Sequence, residues 1–582
     1  MFSLLNEPCL RAQAHHGPVE EHSVRSALLN AHTLGDLVVG LPTQHPSKLR
    51  QLLLPVVVDA LGRPANEREW AVWFRRGRWT PEQERKLTAY FEEYADRFDL
   101  LHPKHPFAQV ADLHTAKNET KGAGLLVASG ANGNNVPLFA SHTEGDVLAL
   151  TLPQALTWLL HTHCWDTAAI KTGAVGDPRV KSGKTTGNPT GPLGQMGVTL
   201  PLGRTLYETL LLNIPVGPPL RSDDLPQWRR RDGDHITKEQ RVSASTWYER
   251  MPVGILDLWT WQSRRIRLVP EETGEGLRIT RVVVAAGDRM PHTPEFDPHT
   301  MWRMQPTASR DVSRAKKPKG GASARRPLRM QPGKAAWRDM QALLALSRQS
   351  REASADRAGF ATSWTLDQAG SVRADLGEGY PLRVELCGIT YGVQSAVIED
   401  VMSDSLPLPL AALDENSFVR DAVLEVAAQT EELAEAVNHL SADLHRAAGG
   451  KPIPWDKGHR PGEQVLHTLD PLIRRLLAGI RGTGEDDEAL EKAEAGQLAW
   501  EQLAWRATWG VADRLIQAVP VSAFAGRTES REGRPDLFHQ ASLAERRFLD
   551  RRKEILHRVA KARAQSGQDR TQDTITNGDD GA

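Results

Sequence analysis

Residues Val419 to Leu444, VRDAVLEVAAQTEELAEAVNHLSADL, set Val419, Val423, Val426, Thr430, Leu433, Val437, Leu440 and Leu444 at alternating steps of four and three. That spacing keeps one apolar seam on one side of an α-helix for about seven turns. Gly449, Gly450 and Pro452 predict its end. A second helix is predicted over about 463–480, kinked or broken at Pro471, because proline removes a backbone donor and crowds the preceding turn. A third is expected from about 485 to 518, with Leu498, Trp505, Trp509 and Ile516 on its packing side and Pro520 at its end. A fourth is expected to open on the capping box Ser542-x-x-Glu545 and to continue through Phe548, Ile555 and Val559. Four amphipathic helices with short or moderate connections describe a four-helix bundle over residues 406–563. The polar stretch 564–582 is expected to be a disordered tail.

Residues 1–405 read differently, as one large mixed α/β domain. Arg264–Val269 and Ile279–Ala285 are rich in β-branched residues and flank the turn-like EETGEG, which predicts a hairpin. Thr80 followed by Pro81 and acidic residues predicts a capped helix start. No regular βαβ alternation appears, so a doubly wound sheet is not expected. The fold class is therefore α+β: a large mixed N-terminal domain followed by a C-terminal four-helix bundle.

The totals narrow the function. A chain of 582 residues exceeds what one core holds. Lys and Arg number 72 against 73 Asp and Glu, so any surface for a polyanion must be local and offset by acidic regions elsewhere. That suits a subunit of a larger assembly. Cys9, Cys164 and Cys387 lie far apart without metal-type spacing, which predicts a reducing, cytoplasmic setting. There is no run of 18 apolar residues and no basic flank on the N-terminus, so neither a membrane span nor a secretion signal is expected.

The stretch Lys171-Thr-Gly-Ala-Val-Gly-Asp-Pro-Arg-Val-Lys-Ser-Gly-Lys184, continuing to Gly197, holds seven glycines among Lys171, Arg179, Lys181 and Lys184. It reads as a long loop between the apolar helical segments 156–160 and 206–212. Glycine lets backbone lie against a bulky partner, and neighbouring cations favour a polyanion. A nucleic-acid contact and a mobile surface loop both fit. A second basic stretch, Arg310–Lys334, carries nine Lys or Arg against Asp311 and reads as flexible. Signatures of catalysis are missing: no P-loop, no G-x-S-x-G elbow and no H-E-x-x-H pair occur. His161 and His163 are the best metal-ligand candidates, yet residues two apart on a helix face different directions. His102 and His105 read as turn packing. No enzyme, metal or cofactor is expected.

Leu101–Gln109 (LHPKHPFAQ), Ser129–Phe139 (SGANGNNVPLF), the glycine stretch and Arg204–Ile214 (RTLYETLLLNI) occur in the order and spacing of one family. Through them the chain resembles the CasA family, the large subunit of the type I-E CRISPR Cascade complex. The resemblance, with the C-terminal bundle, spans about residues 1–560. It implies recognition of a protospacer-adjacent motif (PAM) in double-stranded target DNA, opening of that duplex, and a docking platform for the CRISPR helicase-nuclease. Guide RNA and other Cascade subunits are the further implied partners. By resemblance, the PAM glycine loop is Lys171, Gly173, Gly176, Arg179, Lys181 and Lys184, with Gly173 and Gly176 as the points of close approach. The wedge pushed beneath the PAM is Gln394 within Gly388–Gln394, with Ser395 one residue away. The family's lysine-tipped hairpin maps to 270–277, where this chain has no lysine; Arg278 is the nearest cation, with Arg264 and Arg265 at the opposite base. A loop touching guide RNA and a neighbouring subunit maps to 132–146, with Asn134, Asn135 and Phe139. The alternatives from other classes are a stand-alone RNA-binding protein and a metal-dependent hydrolase using His161 and His163.

Overall fold

A computed structural model describes residues 1–15, 17–130, 148–230, 245–304, 325–345, 359–377, 379–451, 460–482, 487–531 and 534–565. Expectations for Asn134, Asn135 and Phe139, for most of the basic stretch 310–334 and for nearly all of the tail 564–582 lie outside the described residues. The chain divides into two compact units. One comprises Met1–Ala336, Gln341–Gly377 and Pro381–Leu406, the other Trp337–Met340, Glu378–Tyr380 and Pro407–Ala582.

The first unit mixes small sheets with short helices, as an α+β chain should. The elements that matter are strands β1 (Lys121–Gly122), β2 (Lys171–Thr172), β3 (Lys184–Thr185), β4 (Val198–Leu202), β5 (Arg264–Thr273), β6 (Gly276–Ala286), β7 (Arg383–Tyr391) and β8 (Ile398–Pro407), with helix α1 (Leu152–Trp165). The predicted hairpin is β5–β6, paired from Arg264 opposite Ala286 out to Thr273 opposite Gly276. One sheet runs β1–β6–β2–β3, with β5 on β6, and another runs β8–β7–β4. Thr151 caps α1 through a reciprocal box with Gln154, and Pro153 sits in the first turn, where a missing N–H costs nothing. A like box of Thr80 and Gln83 opens the helix Pro81–Glu93.

The stretch after α1 is not the structureless loop that its glycines suggest. It contributes β2, β3, a short helix Pro192–Met196 and β4 before the helix Leu206–Leu212. Leu193, Met196, Val198, Leu200 and Leu202 are all buried, so local apolar content outweighs glycine here.

In the second unit the predicted seam is buried at every position from Val419 to Leu444, along helix α2 (Phe418–Ala447). Helices α3 (Pro461–Gly479), α4 (Asp487–Gln517) and α5 (Ala541–Ile555) pack on α2, and α6 (His557–Gln565) packs on α4. Gly462 lets α3 approach closely, since a Cβ there would lie 2.4 Å from the Ala434 carbonyl. Helix α3 runs unbroken through Pro471, which is exposed, so water can take the carbonyl left without its donor. The Ser542 capping box does not form: α5 starts two residues earlier than that cap requires, and its cap position is Gln540. A further pair of strands, β9 (Arg527–Arg531) and β10 (Arg534–His539), sits between α4 and α5.

Candidate nucleic-acid interface

Strands β2 and β3 form the neck of an eleven-residue excursion, 173–183. Lys171 pairs with Thr185, Thr172 with Lys184, and Thr172 also lies beside Ala285 of β6. The excursion is rooted in apolar core, because Ala174 is buried in one cluster with Val110, Leu113, Val283 and Ala285. Its outer part is solvent-facing: Val175, Gly176, Pro178, Arg179, Lys181, Ser182 and Gly183 are exposed, as is Lys184 at the start of β3.

The two lysines stand at the end of a tight turn. The Lys181 N–H donates to the Lys184 carbonyl (2.9 Å) and the Lys184 N–H to that of Lys181 (3.0 Å). Ser182 and Gly183 between them have φ of 49° and 72°, the left-handed pattern of a type I′ hairpin turn. Residues directly opposite across such a pair project from the same face, so two ammonium groups emerge together. Neither forms an ion pair among the described residues.

The other candidates of this loop are placed differently. Lys171 is buried and its ammonium lies 2.7 Å from the Asp166 carboxylate, which Arg264 also contacts. Burial would raise the Asp166 carboxyl, but Lys171 and Arg264 pull it down to about 2. Burial lowers the Lys171 ammonium in turn, and Asp166 restores it only partly. Lys171 is therefore a structural cation, unavailable to a ligand. Gly173 is also internal: a Cβ there would lie 2.7 Å from Val180 and 2.9 Å from Gly183. Gly176 is exposed with φ of 90°, and a Cβ would lie 2.6 Å from the Ser245 hydroxyl. The fold itself thus demands both glycines. Arg179 rests on Trp247, its guanidinium carbon 4.2 Å from the ring centroid.

Gln394 sits in the turn joining β7 to β8. The Gly392 N–H donates to the Val397 carbonyl at the base of this turn (2.9 Å), and Val393 is 81% exposed at its crest. Gln394 and Ser395 both have φ of 54°, a conformation that side chains other than glycine adopt at a cost of roughly 1 kcal/mol each. The turn is tied to the foot of the excursion. The Ala168 N–H donates to the Ser395 carbonyl over 2.7 Å, and the Tyr391 hydroxyl donates to the Trp165 carbonyl over 2.6 Å. Gly194 makes room for that tyrosine, since a Cβ there would lie 2.3 Å from its hydroxyl oxygen and 2.9 Å from its ring. The segment Trp165–Lys171 therefore carries the lysine hairpin on one side and the Gln394 turn on the other.

Arg278, the nearest cation to the missing hairpin lysine, is not at the tip. It is half-buried, 3.6 Å from Glu275, and Nη1 donates to the Leu277 carbonyl. The tip beyond it exposes Glu271, Glu272 and Glu275. Arg264 and Arg265 are 1% exposed and serve the interior, Arg265 through a 2.8 Å pair with Asp288. His161 and His163 are buried on different partners, Thr43 (3.0 Å) and the Ala108 carbonyl (2.9 Å). Burial lowers them to about 3 and about 4, so both are neutral core residues and share no ligand. His102 and His105 stack on each other, and the His102 ring accepts the backbone N–H groups of Lys104 and His105. Asp166, Ser245, Trp247 and Arg289 carry the site's architecture and had no local sequence signal, since each acts on residues distant in the chain.

Among the described residues no helix is long and apolar enough to cross a membrane. The family model for CRISPR-associated protein Cse1 matches residues 3–511. The chain is 27% identical over 529 residues to CRISPR-associated protein CasA/Cse1 of Thermus thermophilus, covering 87% of this chain and 92% of that one. The crystal structure of Thermobifida fusca Cse1 is 30% identical with a TM-score of 0.75, over 96% of this chain and 98% of that one. Cse1 from Acidimicrobium ferrooxidans is 28% identical with a TM-score of 0.74, over the same shares. A chain of a CRISPR RNA-guided surveillance complex shares the fold at 20% identity and a TM-score of 0.58, over 88% and 98%. The chain belongs to the CRISPR-associated protein Cse1 family, the large subunits of type I-E Cascade that its sequence resembles.

Proposed function

We propose that this subunit is non-catalytic and recognises the PAM of double-stranded target DNA, promotes opening of the duplex beside it, and offers the docking platform for the helicase-nuclease. Guide RNA and the other Cascade subunits are its partners in assembly. Lys181 and Lys184 meet the phosphate backbone, the exposed backbone around Gly176 lies along the minor groove, and Gln394 enters the base stack. The minor groove carries a degenerate pattern, which makes such a reader tolerant of several PAM sequences. Unstacking costs a few kcal/mol, recovered as guide RNA pairs with the freed strand.

One observation carries this reading: the exposed lysine turn and the strained Gln394 turn spring from the same short segment, Trp165–Lys171, through the Lys171–Asp166 pair and the Ala168–Ser395 hydrogen bond. Backbone strain held on an exposed tip is characteristic of functional turns. The division into two units, with the chain from Pro407 as the helical one, suits a reader unit followed by a helical interaction unit. The test is co-purification with the other subunits and a guide RNA, then duplex binding across PAM variants. PAM-dependent binding lost on removing this subunit supports the reading. PAM-independent binding of single-stranded RNA by the isolated chain defeats it.

A further inference from the structure

A strand of chain outside the excursion braces its tip. Ser245 Oγ donates to the Val175 carbonyl (2.5 Å) and Thr246 Oγ1 to the Gly176 carbonyl (3.2 Å). The next residue, Trp247, is 3% exposed and takes two guanidinium groups on its ring, Arg179 at 4.2 Å and Arg289 at 3.9 Å from the centroid. Arg289 in turn donates to the Thr186 carbonyl (2.9 Å) and to Asn188 Oδ1 (3.0 Å), just beyond β3. Trp247 thus joins the tip of the excursion to its exit. Its indole N–H has no acceptor among the described residues, so contact with the two cations, not a hydrogen bond, orients the ring.

The brace has a rigid root. The Thr246 carbonyl accepts from Arg265 (3.1 Å), the Tyr248 N–H donates to Asp288 (3.1 Å), and Arg265 and Asp288 form a buried pair. Without the ring, two like charges lose the π-face that they share, and Arg179 loses its tie to the exit of the excursion. The Ser245 and Thr246 hydroxyl contacts and the Val175 N–H bond to the His114 carbonyl (2.9 Å) hold only Val175 and Gly176. A loop that must follow a groove a few ångströms wide loses its fit once its tip wanders.

We infer that Trp247 is a positioning residue for duplex recognition, holding Val175–Arg179 in the shape that the lysine turn and Gly176 need. This rests on the reading of the excursion as a duplex contact. The experiment compares Trp247→Leu, Trp247→Phe and the double variant Lys181→Ala/Lys184→Ala in the guide-loaded complex. Each is measured on PAM-bearing duplex and on a single-stranded complementary target, which needs guide pairing alone. Trp247→Leu is expected to weaken duplex binding about tenfold with single-strand binding within about twofold, and Trp247→Phe to keep most of the duplex affinity. Native duplex binding by Trp247→Leu, equal losses on both targets, or equal losses for Leu and Phe overturn the inference. If the lysine variant loses duplex affinity while Trp247→Leu does not, the brace fails and the duplex reading survives. If neither loses it, both fall.

Discussion

The backbone N–H of Ala168 donates to the Ser395 carbonyl over 2.7 Å, and this bond brings the Gln394 turn to the foot of the lysine excursion. A contact of backbone with backbone is indifferent to side-chain identity at either end. It lets the exposed residues Val393 and Gln394 vary in chemistry while their position stays constant. The same segment is locked from the other side by Lys171 on Asp166. On the proposed reading, recognition and opening of a duplex need two groups at a constant separation, which one seven-residue segment would supply.

Replacing Lys181 and Lys184 together by alanine should weaken duplex binding about equally for every PAM sequence. Each lost phosphate contact should reduce the slope of log affinity against log salt by about 0.9. Titration of the assembled complex at several salt concentrations measures this. A change confined to one PAM would assign the lysines to base reading instead.

Gln394→Gly should leave thermal stability within about 1 kcal/mol of native, because the relief of a left-handed backbone offsets the freedom that glycine gains when unfolded. Gln394→Val should cost about 1–2 kcal/mol, since a β-branched side chain resists that conformation. Both should slow duplex opening while sparing initial binding. A fluorescent base analogue beside the PAM separates the two steps, and native opening by the glycine variant would remove Gln394 as the wedge.

Lys171→Met should leave the salt slope of duplex binding unchanged while destabilising the first unit by about 1–3 kcal/mol, as the buried Asp166 loses one of its two cations and keeps Arg264 and the Thr167 N–H. Thermal unfolding and the salt titration together check it. A slope reduced by about one would show that Lys171 reaches a phosphate.

His45 lies between Glu385 (2.5 Å) and Asp36 (3.0 Å) in the first unit. Burial alone would lower its imidazole, but the two carboxylates raise it to about 10. Its folded value is above its unfolded value of about 6.5, so its contribution is complete below pH ~6.5 and is lost as pH rises toward 10. Denaturant unfolding from pH 6 to pH 10 should show a loss on the order of 2–4 kcal/mol that His45→Gln abolishes. An unchanged pH dependence in that variant would place the loss elsewhere.

Periodicity and turn chemistry determined much of this protein without any fold in hand. The four-and-three seam of 419–444, the β-branched runs around EETGEG and the Thr80 cap each act between near neighbours, so they are legible in one dimension. Family motifs in order carried the assignment further. Tertiary structure alone decided which charged residues face water. Lys171 and Lys184 look alike in the sequence, yet one closes on Asp166 in the interior and the other stands at an exposed turn. Gly173 invites a ligand by composition but is required by Val180, seven residues on. Burial and ion pairing are set by groups that meet only after the chain has folded back on itself, and short-range sequence patterns do not record those meetings.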